Sequence, residues 1–410
     1  GIQKMGVRTV TKEEVVNSMI PIWQRSKKEA SDADCIAFYK EKFKDTEDPV
    51  SVIRVNAEGT VSYRAMLFVP AKAPYDYYTR DYVPGLRLYS NGVMIMEKCP
   101  DLLPECFRFV RGIVDSPDLS LNISREMLQH DRQLKLIAAN LGKKIKSELT
   151  KLMTNDREKY EQFHAAFGMM LRAGAVTETG DKVDEVKDLL LYHTSETKLV
   201  SLKEYVDAMP AEQTKIYFAC GENVKRLLSL PQAELLHEKG FDVLCMTSQI
   251  DEYFVDTMKS YADKPFCNIA TDDLGLETEE EKKAAEDATA ENKPLFDAMK
   301  DALDGKVKEV KVSTRLKEHP VCLSSDGPLS IEMEKVLSKQ PGSEGVKSDK
   351  VLELNINHPV FAVLKAAQEA GDTDKVKKYS ALLYAQAQLI EGLPVDDPAA
   401  YAEAVCSLMK

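Results

Sequence analysis

No stretch of this chain has the ~20 consecutive apolar residues needed to cross a bilayer. The opening Gly1-Ile-Gln-Lys lacks the basic-then-apolar pattern of a secretory signal. The eight cysteines, at 35, 99, 106, 220, 245, 267, 322 and 406, form no CxxC pair, which argues against a zinc site or a disulfide frame. Most sit in apolar settings such as Tyr217-Phe-Ala-Cys220 and read as buried free thiols of a reducing, cytoplasmic compartment. There is no GxxxxGK[ST] loop and no GxGxxG after a strand, so no phosphate cradle is written in the chain. The basic excess needed for a nucleic-acid partner is also missing: 55 Lys and Arg against 67 Asp and Glu leave a net charge of −12. No repeat, coiled-coil heptad or low-complexity tract appears beyond one acidic run. The first residue is not Met, so the chain reads as a fragment or a trimmed product.

What is present is ordinary hydrophobic content spread over 410 residues, too many for one core. A capping box at Thr11–Glu14 opens a short helix, and Asp32–Phe43 reads as another. Strand signals follow at Val50–Val55 and Val61–Val69, then at Leu86–Tyr89 and Val93–Met96 around the turn Ser90-Asn91-Gly92. With an expected helix over Leu103–Gly112 they suggest an α+β layer unit. From Gln133 the period becomes helical, with Leu134, Ile137, Leu141, Ile145, Leu149 and Leu152 on one face, continuing through Tyr160–Arg172. Short strands at Ile216, Asp242–Met246 and Phe266–Ile269 alternate with helices at Pro231–Lys239 and Ile250–Ala262. This rhythm predicts a small parallel-sheet domain over 194–275. Asp272–Glu291 holds nine acids against two bases and reads as a mobile connector with local helix. Strand candidates Val307–Val312 and Val351–Leu354 precede three terminal helices: Pro359–Ala370, Lys375–Glu391 and one starting at Asp397-Pro398.

Three constellations stand out. Arg125, in Leu121-Asn122-Ile-Ser-Arg125-Glu-Met-Leu-Gln129, falls near a helix start, where the macrodipole disfavours a fixed cation. An arginine there makes sense if an anion arrives from outside, as an arginine finger meets a phosphate; Gln129 lies one turn on. The competing reading, a solvated arginine paired with Glu126, is favoured by spacing alone. Without a cradle of its own, the chain would serve a phosphate held by another domain. In the C-terminal helices, Val376, Tyr379, Leu383, Ala387 and Ile390 form one apolar side and Leu382, Ala385 and Leu389 another, with Val405, Leu408 and Met409 beyond. An isologous four-helix bundle from two copies would cover them; alternatively they complete their own core. Finally, Leu329, Met333, Val336 and Leu337 make a short stripe that is either core or an adhesive patch, an ambiguity shared by Tyr253 and Phe254.

Read in order, these residues resemble the middle and C-terminal domains of the heat-shock protein 90 family, of the bacterial HtpG type. The resemblance rests on Pro21-Ile-Trp23, Tyr63-Arg-Ala-Met-Leu-Phe-Val-Pro70, Leu86-Arg-Leu-Tyr89, Phe109-Val-Arg-Gly-Ile-Val-Asp115-Ser and the Asn122–Gln129 segment. Further on it rests on Ile216-Tyr-Phe218, Val243-Leu with Ile250-Asp-Glu-Tyr253, and Leu352-Glu-Leu-Asn355.

The resemblance implies a homodimeric, cytoplasmic, ATP-dependent chaperone for non-native client proteins. ATP and Mg would bind only with an N-terminal ATPase domain outside this chain, which alone would hydrolyse nothing. It implies a γ-phosphate role for Arg125, with Asn122 and Gln129 shaping its loop, and so reverses the reading from spacing. It implies client contact at Tyr253, Met333, Val336 and Leu337. The last helices would dimerise, through Tyr379, Leu383, Ala387, Ile390, Val405 and Leu408.

The fold then expected is multidomain α+β / α/β. An α/β sandwich with a helical linker segment spans 1–193, a small three-layer αβα part 194–275, an acidic connector 276–291, and an α+β dimerisation domain 292–410. The end Ser407-Leu-Met-Lys410 lacks the acidic Met-Glu-Glu-Val-Asp tail of eukaryotic cytosolic members, so cochaperones reading that tail are not expected. Alternatives are a transducer module of topoisomerase or mismatch-repair ATPases, disfavoured by the acidic balance, and a nucleotide-independent dimeric scaffold.

Overall fold

The computed structural model describes residues 20–79, 81–121, 131–176, 182–343 and 345–409. The expected capping-box helix at Thr11–Glu14 lies outside them. The chain forms two compact units, one ending at Gly174 and the other beginning at Ala175. Both mix helices with sheets, as the α+β reading anticipates.

In the first unit, Ser31 caps helix α1 (Asp32–Phe43) through a capping box with Asp34. Five strands follow: β1 (Ser51–Ala57), β2 (Tyr63–Val69), β3 (Leu86–Ser90), β4 (Val93–Cys99) and β5 (Arg111–Asp115), in the order β1-β2-β5-β3-β4. Only the β3–β5 pair is parallel. The β3–β4 turn has Asn91 at φ 50° and Gly92 at φ 79°, the left-handed pair a type I′ turn requires. Nearly every side chain of β2 is buried, because both sheet faces are covered. On one side Cys35 and Tyr39 of α1 pack on Met66 and Phe68. Helix α2 (Arg132–Asn155) buries the expected line Leu134, Ile137, Leu141, Ile145 and Leu149, and its Asn140 accepts a 2.8 Å hydrogen bond from Tyr63. Helix α3 (Arg157–Ala175) adds Phe163 and Phe167, which pack on Phe109.

The helix expected over Leu103–Gly112 does not form. Pro100 and Pro104 break the segment into two 3₁₀ turns, Pro100–Leu102 and Glu105–Phe107, before β5 begins. Phe107, Phe109 and Val110 are buried all the same, so an apolar run was mistaken for a helical one.

The second unit contains two sheets. The first runs β10-β11-β8-β9-β6-β7, from β6 (Leu191–His193), β7 (Leu199–Ser201), β8 (Ile216–Cys220), β9 (Leu244–Met246), β10 (Ser260–Tyr261) and β11 (Lys264–Asn268). Its centre, β11-β8-β9, is parallel as the βαβ rhythm implied, but antiparallel strands close both edges. Among its helices are α4 (Leu202–Asp207), α5 (Val224–Leu228), α6 (Glu234–Glu238) and α7 (Asp251–Met258). The last stops at Met258, short of the expected Ala262, because Lys259 turns to φ 65° and the chain then enters β10.

The acidic run folds as helix α8 (Glu279–Glu291). Thr278 and Glu281 form its capping box, and Glu279, Glu280 and Glu281 sit in the first turn, where the macrodipole favours them. None of its residues is fully buried, yet Ala285 and Ala288 rest against the C-terminal core. That core lies between α9 (Lys293–Ala302), a three-stranded sheet and the terminal helices. The sheet order is β12-β14-β13, from β12 (Glu309–Val312), β13 (Val321–Ser325) and β14 (Lys350–Leu354); β13 went unread in the sequence. Helices α10 (Ile331–Ser338), α11 (Pro359–Glu369), α12 (Thr373–Glu391) and α13 (Pro398–Ser407) complete the unit.

The tightest glycine of the first unit is in β5. Gly112 adopts φ 154°, and an added Cβ would sit 2.3 Å from the Met66 carbonyl oxygen on β2. Gly112→Ala should therefore destabilise this unit by about 3 kcal/mol; a urea melt within 0.5 kcal/mol of wild type, roughly the scatter of a neutral surface change, would contradict this packing.

Candidate functional site

Asn122, Arg125 and Gln129 lie outside the described residues. The chain leading to them is described and tightly held. Asp115 ends β5 and is only 4% exposed. Its carboxylate accepts hydrogen bonds from Trp23 Nε1 at 3.0 Å, Gln24 Nε2 at 2.7 Å and the Gly92 N–H at 3.1 Å. The next residues are pinned in turn. Ser116 donates from its N–H to the Tyr89 carbonyl at 3.1 Å and from its hydroxyl to the Ser62 carbonyl at 2.7 Å. Ser62 N–H donates to Asp118 at 2.7 Å, and Ser90 Oγ to the Leu119 carbonyl at 2.6 Å. Beyond His130, Asp131 caps α2 by accepting from Leu134 N–H at 2.8 Å.

The client-contact residues of the sequence reading come from two helices that the fold sets side by side. Ser330, the N-cap of α10, donates to Glu252 of α7 at 2.8 Å. Tyr253, next to Glu252, is 54% exposed. Met333, Val336 and Leu337 are half-buried. Met333 and Val336 line a crevice of about 20 Å³ with Gly221 and Glu252, so part of the stripe faces the first sheet of its own unit.

The residues read as a dimer face divide. Leu383 and Ala387 lie in the C-terminal core, with Tyr379 packed against it. Ile390 packs on the core beside the first sheet. Val405 is half-buried, while Leu408 at 52%, Met409 at 78% and Leu389 at 50% remain open. Most of α12 therefore completes its own unit, and the apolar surface left over lies at Leu389 and the end of α13.

Between its two sheets the second unit holds a polar seam. Arg315 donates to the Ile269 carbonyl at 2.6 Å and lies 3.4 Å from the buried Glu353 carboxylate. Gln232 donates to the Leu323 carbonyl and to Glu391 Oε1, both at 2.5 Å. Burial pushes the Glu391 carboxyl up to about 7, opposed by the Gln232 hydrogen bond and the Lys335 charge. Burial likewise raises the thiols of Cys220 and Cys322, and those of Cys245 and Cys267 to about 12, which makes them poor nucleophiles. Cys406 is exposed and Cys220 only partly buried, so these two depart from the buried-thiol reading.

A sequence model described as Hsp90 protein matches residues 2–410. The chain belongs to the Hsp90 family. It is 51% identical over 401 residues to the chaperone protein HtpG of Bacillus subtilis, covering 98% of this chain and 64% of that relative. It is 52% identical over 399 residues to the HtpG of Clostridium acetobutylicum, again covering 64% of the relative. The chain thus spans somewhat under two thirds of the curated relatives it matches. Membership of the Hsp90 family does not favour the transducer alternative. Among the described residues no helix is long and apolar enough to cross a membrane.

Within this Hsp90-family chain the sequence reading missed Asp115 as a hub and the seam residues Gln232, Arg315 and Glu391. One signal was available for Glu391: an acid in the last turn of a helix, just before Gly392, stands against the macrodipole. Its carboxyl binds a proton more tightly folded than unfolded, so the folded state is penalised as pH rises from about 4.5 through about 7. Glu391→Gln keeps the oxygen that Gln232 needs and removes the charge. The variant should melt higher than wild type above pH 7 and equally at pH 4.5; parallel melting curves from pH 5 to 8 would show that Glu391 carries no such penalty.

Proposed function

We propose that this chain forms the client-handling and dimerising portion of an ATP-dependent chaperone. In this reading it lends Arg125 to the γ-phosphate of an ATP·Mg held by a nucleotide domain elsewhere in the whole protein. The carrying observation is the match to the Hsp90 family over residues 2–410, joined to 51% identity with a chaperone. The role of Arg125 is supported by the likeness of the Asn122–Gln129 segment to the family and not by helix electrostatics, since the long helix expected to start near Arg125 begins at Arg132. Asn122 and Gln129 then shape the loop. Tyr253 with the α10 stripe Met333, Val336 and Leu337 offers apolar contact to non-native clients, and the adjacency of α7 and α10 supports treating them as one surface. For dimerisation, Leu389, Leu408 and Met409 are the apolar side chains still open on the terminal helices, with Val405 and Tyr379 beside them and Leu383, Ala387 and Ile390 stiffening α12 from behind.

Two measurements test this. In the whole protein, Arg125→Ala should slow ATP hydrolysis by roughly 10³-fold with nucleotide affinity retained, as expected for an arginine finger; unchanged turnover removes the role. Sedimentation of this chain at micromolar concentration should show a dimer, and Leu389→Glu with Leu408→Glu should shift it to monomer. A wild-type chain that sediments only as monomer would refute the dimer.

A further inference from the structure

We infer that Gln232 and Glu391 form a proton-dependent joint between the two sheets of the second unit, closed when the Glu391 carboxyl is protonated and loosened when it is charged. The first observation is a missing donor. Gln232 is fully buried in the turn Pro231–Ala233, and its neighbours Leu230 and Ala233 pack in the core of the first sheet. Its amide nitrogen faces two acceptors, the Leu323 carbonyl on β13 and Glu391 Oε1 at the end of α12. Turning the amide over would set oxygen against oxygen at both contacts, so its orientation is fixed. The Gln232 Oε1 atom is then left buried without a hydrogen-bond partner among the described residues, which is costly.

The second observation is the source of that donor. A protonated carboxyl beside an amide returns an O–H to the amide oxygen, so one hydrogen bond becomes two. Glu391 is the acid in contact with Gln232, and it is 8% exposed. Protonation therefore removes a buried charge and satisfies the orphaned oxygen in one step. The surrounding groups do not hold the charge in place. Lys335 of α10 gives its ammonium to the Glu391 main-chain carbonyl at 2.6 Å and to the Glu332 carboxylate at 2.8 Å. Arg226 of α5 lies against Gly392, and Glu332 opposes both cations. Cys322 of β13, which also faces Glu234, Glu353 and Arg315, is kept a neutral thiol by burial. Burial prevails at Glu391, whose carboxyl is pushed up to about 7. A crevice of about 20 Å³ lined by Arg226, Glu332, Lys335 and Glu391 has room for one water, which gives the proton a way in.

The third observation is what meets there. Gln232 belongs to the first sheet's core, Leu323 to the C-terminal sheet, and the last turn of α12 is tied by Lys335 to α10. The sign follows from linkage: the carboxyl binds its proton more tightly closed than open, so the closing advantage is full below about 4.5 and lost as pH rises through about 7.

The test is backbone hydrogen exchange of this chain at pH 6 and pH 8, corrected for intrinsic rates and read over the Gln232 turn, β13 and the end of α12. Wild-type protection should fall about tenfold between the two, as one carboxyl moving from about 4.5 open to about 7 closed requires. Glu391→Gln, which keeps the oxygen and supplies a permanent N–H, should hold its protection at pH 8. Gln232→Leu should lack that protection at pH 6 as well, because the proton then has no acceptor; burial of the acid alone would leave it intact there. The inference is overturned if wild type is equally protected at both pH values, if Glu391→Gln falls as wild type does, or if Gln232→Leu is as protected as wild type at pH 6. Should Gln232→Leu not fold, the wild-type and Glu391→Gln comparisons decide.

Discussion

The first unit turns on a charge that has been taken out of water and must be satisfied. Asp115 sits where β5 ends, and its carboxylate is met by an indole N–H, a side-chain amide and a backbone N–H. Burying such a group is tolerable only because the donors are held by other parts of the fold. Trp23 is clamped between Phe38 and Tyr89, with ring centroids at 6.2 and 4.9 Å. Gly92 is fixed by the left-handed turn that joins β3 to β4. Arg54 in turn reaches the Arg25 and Ala30 carbonyls at 2.8 Å each, so the entry segment is fastened from both directions.

The second unit solves the opposite problem. Its two sheets meet through polar groups as well as apolar ones, and the groups are of unequal quality. Glu234 accepts from the Lys317, Glu318 and His319 backbone N–H groups, and these hydrogen bonds hold its carboxyl below the usual range despite burial. Glu391 is buried with one amide donor, and burial outweighs that hydrogen bond, so its carboxyl moves the other way. Two glutamates in one seam are thus driven apart by how far burial is offset by the donors offered to them.

Helix α10 belongs to both halves of this arrangement. Glu334 accepts from Lys350 and Ser348 at the C-terminal sheet, where the ion pair is largely shielded from solvent. Toward the first sheet its ties are Ser330 to Glu252 and the exposed pair Lys339–Glu222, the latter of a kind worth about 0–1 kcal/mol. The helix is therefore anchored more firmly to the C-terminal sheet than to the first one.

Much of this was legible in the residues alone. The line Leu134–Leu149, the hairpin at Asn91-Gly92 and the terminal helices follow from local periodicity and turn chemistry, which need no distant partner. Family membership was legible as well, because long runs of residues are shared. What the sequence could not settle depends on partners far along the chain. Leu383 and Ala387 carry the same apolar pattern as an interface, and only packing against α9 and the sheet assigns them to a core. Asp115 looks like any acid at a strand end until Trp23, more than ninety residues earlier, is folded onto it. The run Leu103–Gly112 has the composition of a buried helix, and two prolines with a sheet waiting to receive β5 decided otherwise. Local propensities are written in neighbours; burial and satisfaction of charge are decided by whatever the tertiary structure brings alongside.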